Sequence, residues 1–166
     1  MKVISKQRNS KMCFICGMDN PIGMKAQFYN MEDGSVMTPF ICRKEYQSFP
    51  GRVHGGIVAT MMDELGFRAM WAKESDQIFG VTMSLTVKYR RPVPYDELII
   101  GKGMVVESTP RYLVIKAEIF DQHGTLLANS DVTYLKQDIE KIAPNTDMHE
   151  EMPYLIEDNV KEINFI

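Results

Sequence analysis

A chain of 166 residues that is 45% hydrophobic and 25% charged carries enough apolar side chain for one real core and fits a single globular domain over 1–166. Its net charge of −3 argues against nucleic-acid binding through a general basic surface, and no stretch approaches the ~18 apolar residues of a membrane span. The opening run MKVISKQRNSK lacks the apolar stretch of a signal peptide, and Cys13, Cys16 and Cys42 are an odd number without disulfide-framework spacing, so a cytoplasmic, reducing environment is expected.

The segment Cys13-Phe14-Ile15-Cys16-Gly17 offers half of a zinc site, but only Cys42 and the distant His54, His123 and His149 remain as partners, so no metal is expected. A redox pair fits poorly as well, because Asp19-Asn20-Pro21-Ile22-Gly23 is turn chemistry rather than the start of a helix. The two cysteines read as partly buried residues of an N-terminal segment that covers the fold. Met24, Ala26 and Phe28 then alternate with polar neighbours, which predicts a strand, and Glu32-Asp33-Gly34-Ser35 turns it into a second strand over 36–42 with Pro39 as the signal of an edge or an irregular position. Residues 43–53 are polar, contain Pro50-Gly51, and read as a loop.

Val58, Met62, Leu65 and Ala69 recur at helical spacing, so the chain after Gly55-Gly56 is predicted to be helical to about Lys73. Counting ~100° per residue puts Asp63 at the margin of the apolar face beside Ala59, Gly66 and Met70. Glu64 turns away towards an i,i+4 pairing with Arg68. The cleanest strand follows, with Phe79, Val81, Met83, Leu85, Val87 and Tyr89 on one apolar face. Further strands are predicted over 98–107, 112–120 and 126–135, and a short helix over 154–163 in an extension that starts at 137. Two strands, one helix and four strands make an α+β domain with a core over about 12–136, whose sheet edges a second subunit could cover.

The helix start is the chemically informative end. Gly55 and Gly56 leave backbone N–H groups open to close approach, and the helix dipole favours negative charge there, as an oxyanion hole requires. Eight helical residues rise ~12 Å, so Asp63 cannot reach the atom bound at Gly55 of its own helix. An acid from a second copy of the chain would have to supply it.

The runs CFICGMDNPIGMKAQFY, HGGIVATMMDELG and FGVTMSLTVKYRRPVP resemble the hotdog-fold acyl-CoA thioesterases of the phenylacetate-pathway and 4-hydroxybenzoyl-CoA type. The resemblance implies a curved antiparallel sheet wrapped around one central helix, with two sites built across a dimer interface, in a homodimer or a homotetramer. It makes Gly55 the oxyanion donor with Gly56 beside it, His54 a neighbour of the thioester, and Asp63 of the other subunit the nucleophile or general base. Ser48 stands where many relatives carry Asn or Gln, and Thr82 is the nearest match to a Ser or Thr that some use after the helix. Lys88, Arg90 and Arg91 read as an exposed strand end, or as contacts to the phosphates of coenzyme A. The implied reaction is acyl-CoA hydrolysis without metal or cofactor. A hydratase or dehydratase of the same fold and a non-catalytic acyl-CoA-binding module are the alternatives.

Overall fold

The computed structural model describes residues 1–165. Its strands are β1 (Val3–Lys6), β2 (Tyr29–Met31), β3 (Val36–Ile41), β4 (Phe79–Tyr89), β5 (Leu98–Ser108), β6 (Tyr112–Asp121) and β7 (Leu126–Gln137). The long helix α1 (Gly55–Lys73) falls between β3 and β4, and the short α2 (Ile139–Ile142) and α3 (Met148–Glu151) follow β7. The strands form one sheet in the order β1-β2-β3-β5-β6-β7-β4, with every neighbouring pair antiparallel. This curved sheet packs around α1, which touches β3, β4, β5, β6 and β7, in the hotdog arrangement that the resemblance implies.

The helix lies very close to the sheet because both surfaces carry small residues where they meet. A Cβ at Gly103 on β5 would stand 2.5 Å from the carbonyl oxygen of Leu65, and one at Gly101 would stand 2.8 Å from the Leu65 Cδ1. On the helix side, a Cβ at Gly66 would lie 2.8 Å from the Tyr134 ring. Val58, Met61, Met62, Leu65 and Ala69 fill the space between, against Ile99, Leu113, Ile115, Ala117 and Val132.

The opposite side of α1 is also covered, by residues 7–16. Arg68 is fully buried there, with its Nε 2.7 Å from the Glu64 Oε1 and its Nη1 donating to the carbonyl of Arg8 at 2.8 Å. Its guanidinium lies 4.6 Å from the Phe28 ring centroid and 5.3 Å from that of Trp71. The expected i,i+4 pair is therefore present but enclosed, and removing one partner would strand the other at a cost of about 3–5 kcal/mol.

Three sequence readings are corrected. Residues 24–28 are not a strand, because Lys25 takes φ 59° and breaks the extended run, and the strand begins only at Tyr29. Their backbone groups bond to the cysteine loop instead, Met24 N–H to the carbonyl of Phe14 and Ala26 N–H to that of Ile15. Residues 154–163 are not helical. They run extended against the N-terminus, with Val3 N–H donating to the Lys161 carbonyl, Ile163 N–H donating to that of Met1, and bridges Asn9 to Tyr154 and Lys2 to Glu162. The third correction concerns β4: a bulge between Thr82 and Ser84 shifts its register, so that Phe79, Leu85 and Val87 are half-buried while Val81, Met83 and Tyr89 are exposed. β1 is an element that the pattern did not predict. No helix among the described residues is long and apolar enough to cross a membrane.

The close approach of α1 to β5 makes a direct prediction. Gly103→Ala forces a methyl into the Leu65 backbone, which cannot move without lifting the helix, so stability falls by about 1–3 kcal/mol or more, read from the urea midpoint. An unchanged midpoint would contradict the packing described.

Candidate active site

The chain enters α1 through two backbone bonds that fix its direction. Val53 N–H donates to the carbonyl of Val93 at 2.8 Å, and His54 N–H donates to that of Tyr46 at 2.7 Å. His54 is the N-cap, extended at φ −62° and ψ 134°, and its Nδ1 accepts the N–H of Gly56 at 2.9 Å. That bond requires an unprotonated Nδ1, which assigns the ring proton of neutral His54 to Nε2. It also uses the Gly56 amide. The amide of Gly55 donates to no group among the described residues, while the Gly55 carbonyl accepts the Tyr89 hydroxyl at 2.8 Å. One open N–H at the positive end of a 19-residue helix is the feature an oxyanion would seek.

Two turns further along, Asp63 sits half-buried at the margin of the helix. Its Oδ1 accepts the Thr82 hydroxyl at 2.9 Å. The Tyr134 hydroxyl lies 3.0 Å from the same oxygen and 2.6 Å from the Asp63 carbonyl, so one proton is shared between two acceptors. Burial, and then the charge of Asp63, push the Tyr134 phenol well above its ordinary pKa, which keeps it a neutral donor. Oδ2 accepts no hydrogen bond among the described residues. One carboxylate oxygen is thus held and the other is available for chemistry.

The bulge in β4 is what aims Thr82 at Asp63, since Thr82 pairs with Tyr134 immediately before the register shifts. Tyr134 was not singled out by the sequence reading. The signal available was a tyrosine at an inward position of β7, whose hydroxyl must find a partner when buried.

The structure therefore joins Asp63 to Thr82 and leaves His54, Gly55 and Gly56 as a separate cluster at the helix start. Ser48 is exposed on the adjoining turn, with its N–H bonded to the Arg52 carbonyl at 2.9 Å. Lys88, Arg90 and Arg91 are exposed at the end of β4 and flank Tyr89, the residue that touches Gly55. Arg90 Nε donates to the Asn129 Oδ1 at 2.9 Å, while Lys88 and Arg91 make no side-chain bond among the described residues. A cavity of about 620 Å³ lies at the other end of α1, where Trp71, Phe79 and Met148 are among its lining residues and none of the expected site residues is.

A family model of the thioesterase superfamily matches residues 50–128. The acyl-coenzyme A thioesterase THEM4 of Rattus norvegicus is 25% identical over 138 residues, 82% of this chain and 58% of that protein. Its Mus musculus counterpart is 24% identical over 139 residues, with the same shares covered. The chain thus spans less than two thirds of the length of the curated relatives it matches. Among solved structures, a thioesterase superfamily protein superposes with a TM-score of 0.66 at 25% identity, over 72% of this chain and 61% of that one. A hypothetical thioesterase from Streptococcus pneumoniae, solved with coenzyme A, gives 0.62 at 20% identity over 68% and 86% of the two chains. A Streptococcus mutans protein bound to acetyl CoA gives 0.62 at 16%, over 68% and 89%.

The cap at His54 is testable apart from any activity. His54→Ala removes the acceptor of the Gly56 amide and should cost about 1 kcal/mol in urea unfolding, whereas His54→Asn, which can accept the same bond, should cost only a few tenths. Equal losses in both would contradict the capping role.

Proposed function

We propose that this chain, whose residues 50–128 match a family model of the thioesterase superfamily, hydrolyses an acyl-coenzyme A thioester to the free acid and coenzyme A. The observation that carries this reading is the Asp63 carboxylate, held through Oδ1 by Thr82 and Tyr134 with Oδ2 left for reaction. The thioester oxygen would bind at the Gly55 amide, whose hydrogen bond strengthens as that oxygen gains charge, and His54 would border the thioester. Asp63 of a second copy would then either attack the carbonyl carbon or take a proton from the water that attacks it. In both routes the C–S bond breaks and coenzyme A leaves as its thiolate, which takes up a proton; in the first, water then hydrolyses the anhydride formed on Asp63, releasing the free acid and restoring the carboxylate. Neither route requires a metal or a cofactor.

A second copy is needed because Gly55 and Asp63 are ~12 Å apart along one helix. The exposed edge strand β4, with Val81, Met83 and Tyr89 uncovered, supports a dimer formed on that side, alone or within a tetramer. Thr82 acts as a positioning residue for Asp63, and Ser48 would reach the thioester through a water. Lys88, Arg90 and Arg91, grouped beside the helix start, would meet the phosphates of coenzyme A. The Streptococcus proteins of the same fold that were solved with coenzyme A and with acetyl CoA support this ligand class. The reading takes residues 1–166 as one domain acting in the cytoplasm.

The test is a panel of short, medium, long and aromatic acyl-CoAs with an enoyl-CoA beside them, assayed for free thiol. Thiol release from at least one acyl-CoA is expected. Asp63→Asn should lower kcat by on the order of 10²–10⁴ while circular dichroism and acyl-CoA binding persist. Hydration of the enoyl-CoA without thiol release, or tight binding without turnover, would replace this reading by one of the alternatives.

A further inference from the structure

The loop of residues 10–17 folds a pair of thiols against the helix that carries Asp63. Gly17 N–H donates to the Cys13 carbonyl at 2.8 Å and closes the turn, which only glycine allows, because a Cβ there would lie 2.3 Å from that carbonyl oxygen. Inside the turn, the Cys13 Sγ accepts the N–H of Ile15 at 3.3 Å and that of Cys16 at 3.4 Å. The Cys16 Sγ lies 3.3 Å from the Ser10 Oγ. Two backbone amides converging on one sulfur fix the direction in which it points, as outer-sphere donors do for metal-bound thiolates.

A third donor comes from the helix. The Glu64 Oε2 is 3.8 Å from the Cys13 Sγ, while its other oxygen is held by Arg68 Nε at 2.7 Å. Ligand atoms of Cys13, Cys16 and Glu64 all lie within 4.8 Å of one another. Metal–sulfur bonds of about 2.3 Å and metal–oxygen bonds of about 2.0–2.2 Å need only small side-chain rotations to close on one centre from there. A cavity of about 300 Å³, lined by these residues together with Met148 and Met152, leaves room for a water on a fourth position. Charge agrees with a divalent ion, since two thiolates, one carboxylate, the buried Arg68 guanidinium and a dication sum to zero.

We propose that Cys13, Cys16 and Glu64 bind a thiophilic divalent ion of the zinc class, which ties the N-terminal segment to α1. Binding releases the two thiol protons and changes no oxidation state. Counting cysteines and histidines could not reveal this site, because its third ligand is a carboxylate 51 residues beyond Cys13. The inference is independent of the hydrolase reading, since no step of that reaction passes through the ion.

The experiment uses the full chain, reduced, stripped of metal and titrated with Zn²⁺ and with Co²⁺. About one ion should bind per chain, and the Co²⁺ form should show a thiolate-to-metal charge-transfer band in the near ultraviolet. Zn²⁺ should protect Cys13 and Cys16 from alkylation and leave the reactivity of the buried Cys42 unchanged. Cys16→Ser should lower the charge-transfer intensity per bound ion to roughly half or weaken binding on the order of 100-fold or more, and Cys13→Ser, which also spares the Glu64–Arg68 pair, should do the same. Binding below about a tenth of an ion per chain, cobalt bound without the charge-transfer band, or a Cys13–Cys16 disulfide that forms equally with and without Zn²⁺ would each overturn the proposal.

Discussion

The separation between helix and sheet governs this molecule. At Gly103 there is no room for even a methyl group between β5 and the backbone of α1, and Gly101 and Gly66 keep the same close contact on either side. With α1 seated at that depth, the Asp63 carbonyl and carboxylate come within reach of a phenol rooted in β7 and a hydroxyl rooted in β4. A helix held one side chain further out would leave Asp63 in water and the Tyr134 hydroxyl buried without a partner, which costs about 1–3 kcal/mol. The packing of small residues and the geometry of the carboxylate are therefore one constraint.

Adjacent acids on α1 meet opposite fates because one residue turns the helix by about 100°. Asp63 faces the sheet margin and is held by two neutral hydroxyls, which orient its charge without cancelling it. Glu64 faces the N-terminal segment and is paired with a guanidinium that has no access to water. The first arrangement suits a group that must react, and the second suits a group that must hold elements together. Residues 7–16 make this difference, since without them Glu64 and Arg68 would form an ordinary surface pair worth well under 1 kcal/mol.

What could be read from the sequence follows from the range of the interactions involved. The bounds of α1 were legible because a His-Gly-Gly start and a 3.6-residue apolar period are local signals, and β4 to β7 were legible because their alternation is long. Residues 24–28 alternate just as well, yet a single left-handed residue at Lys25 redirects them, and no period records that. The 154–163 stretch takes its partners from residues 1–9, at the far end of the chain, so local propensity pointed to a helix that tertiary pairing overrides. At the site, the rotation of α1 was enough to place Asp63 at a margin. Tyr134 and the orientation of Thr82 required the register of β4 on β7 and the bulge that follows Thr82, and neither is written in the composition of a strand.

Half of the machinery ascribed to this chain lies at the start of α1 and half two turns along it, so the account rests on two copies sharing a site. Paired inactive variants test this most directly. Gly55→Pro deletes the open amide where proline is tolerated, at the first helical residue after an extended His54, and Asp63→Asn deletes the carboxylate. Each variant alone should be inactive towards an acyl-CoA that the wild type cleaves. Unfolded together in equal amounts and refolded, half of the dimers should be mixed, each with one intact site of two, and activity should return to about a quarter of wild type. If the mixture stayed as inactive as its components while mixed dimers formed, the amide and the carboxylate would not be partners across two chains, and the composite site would be wrong.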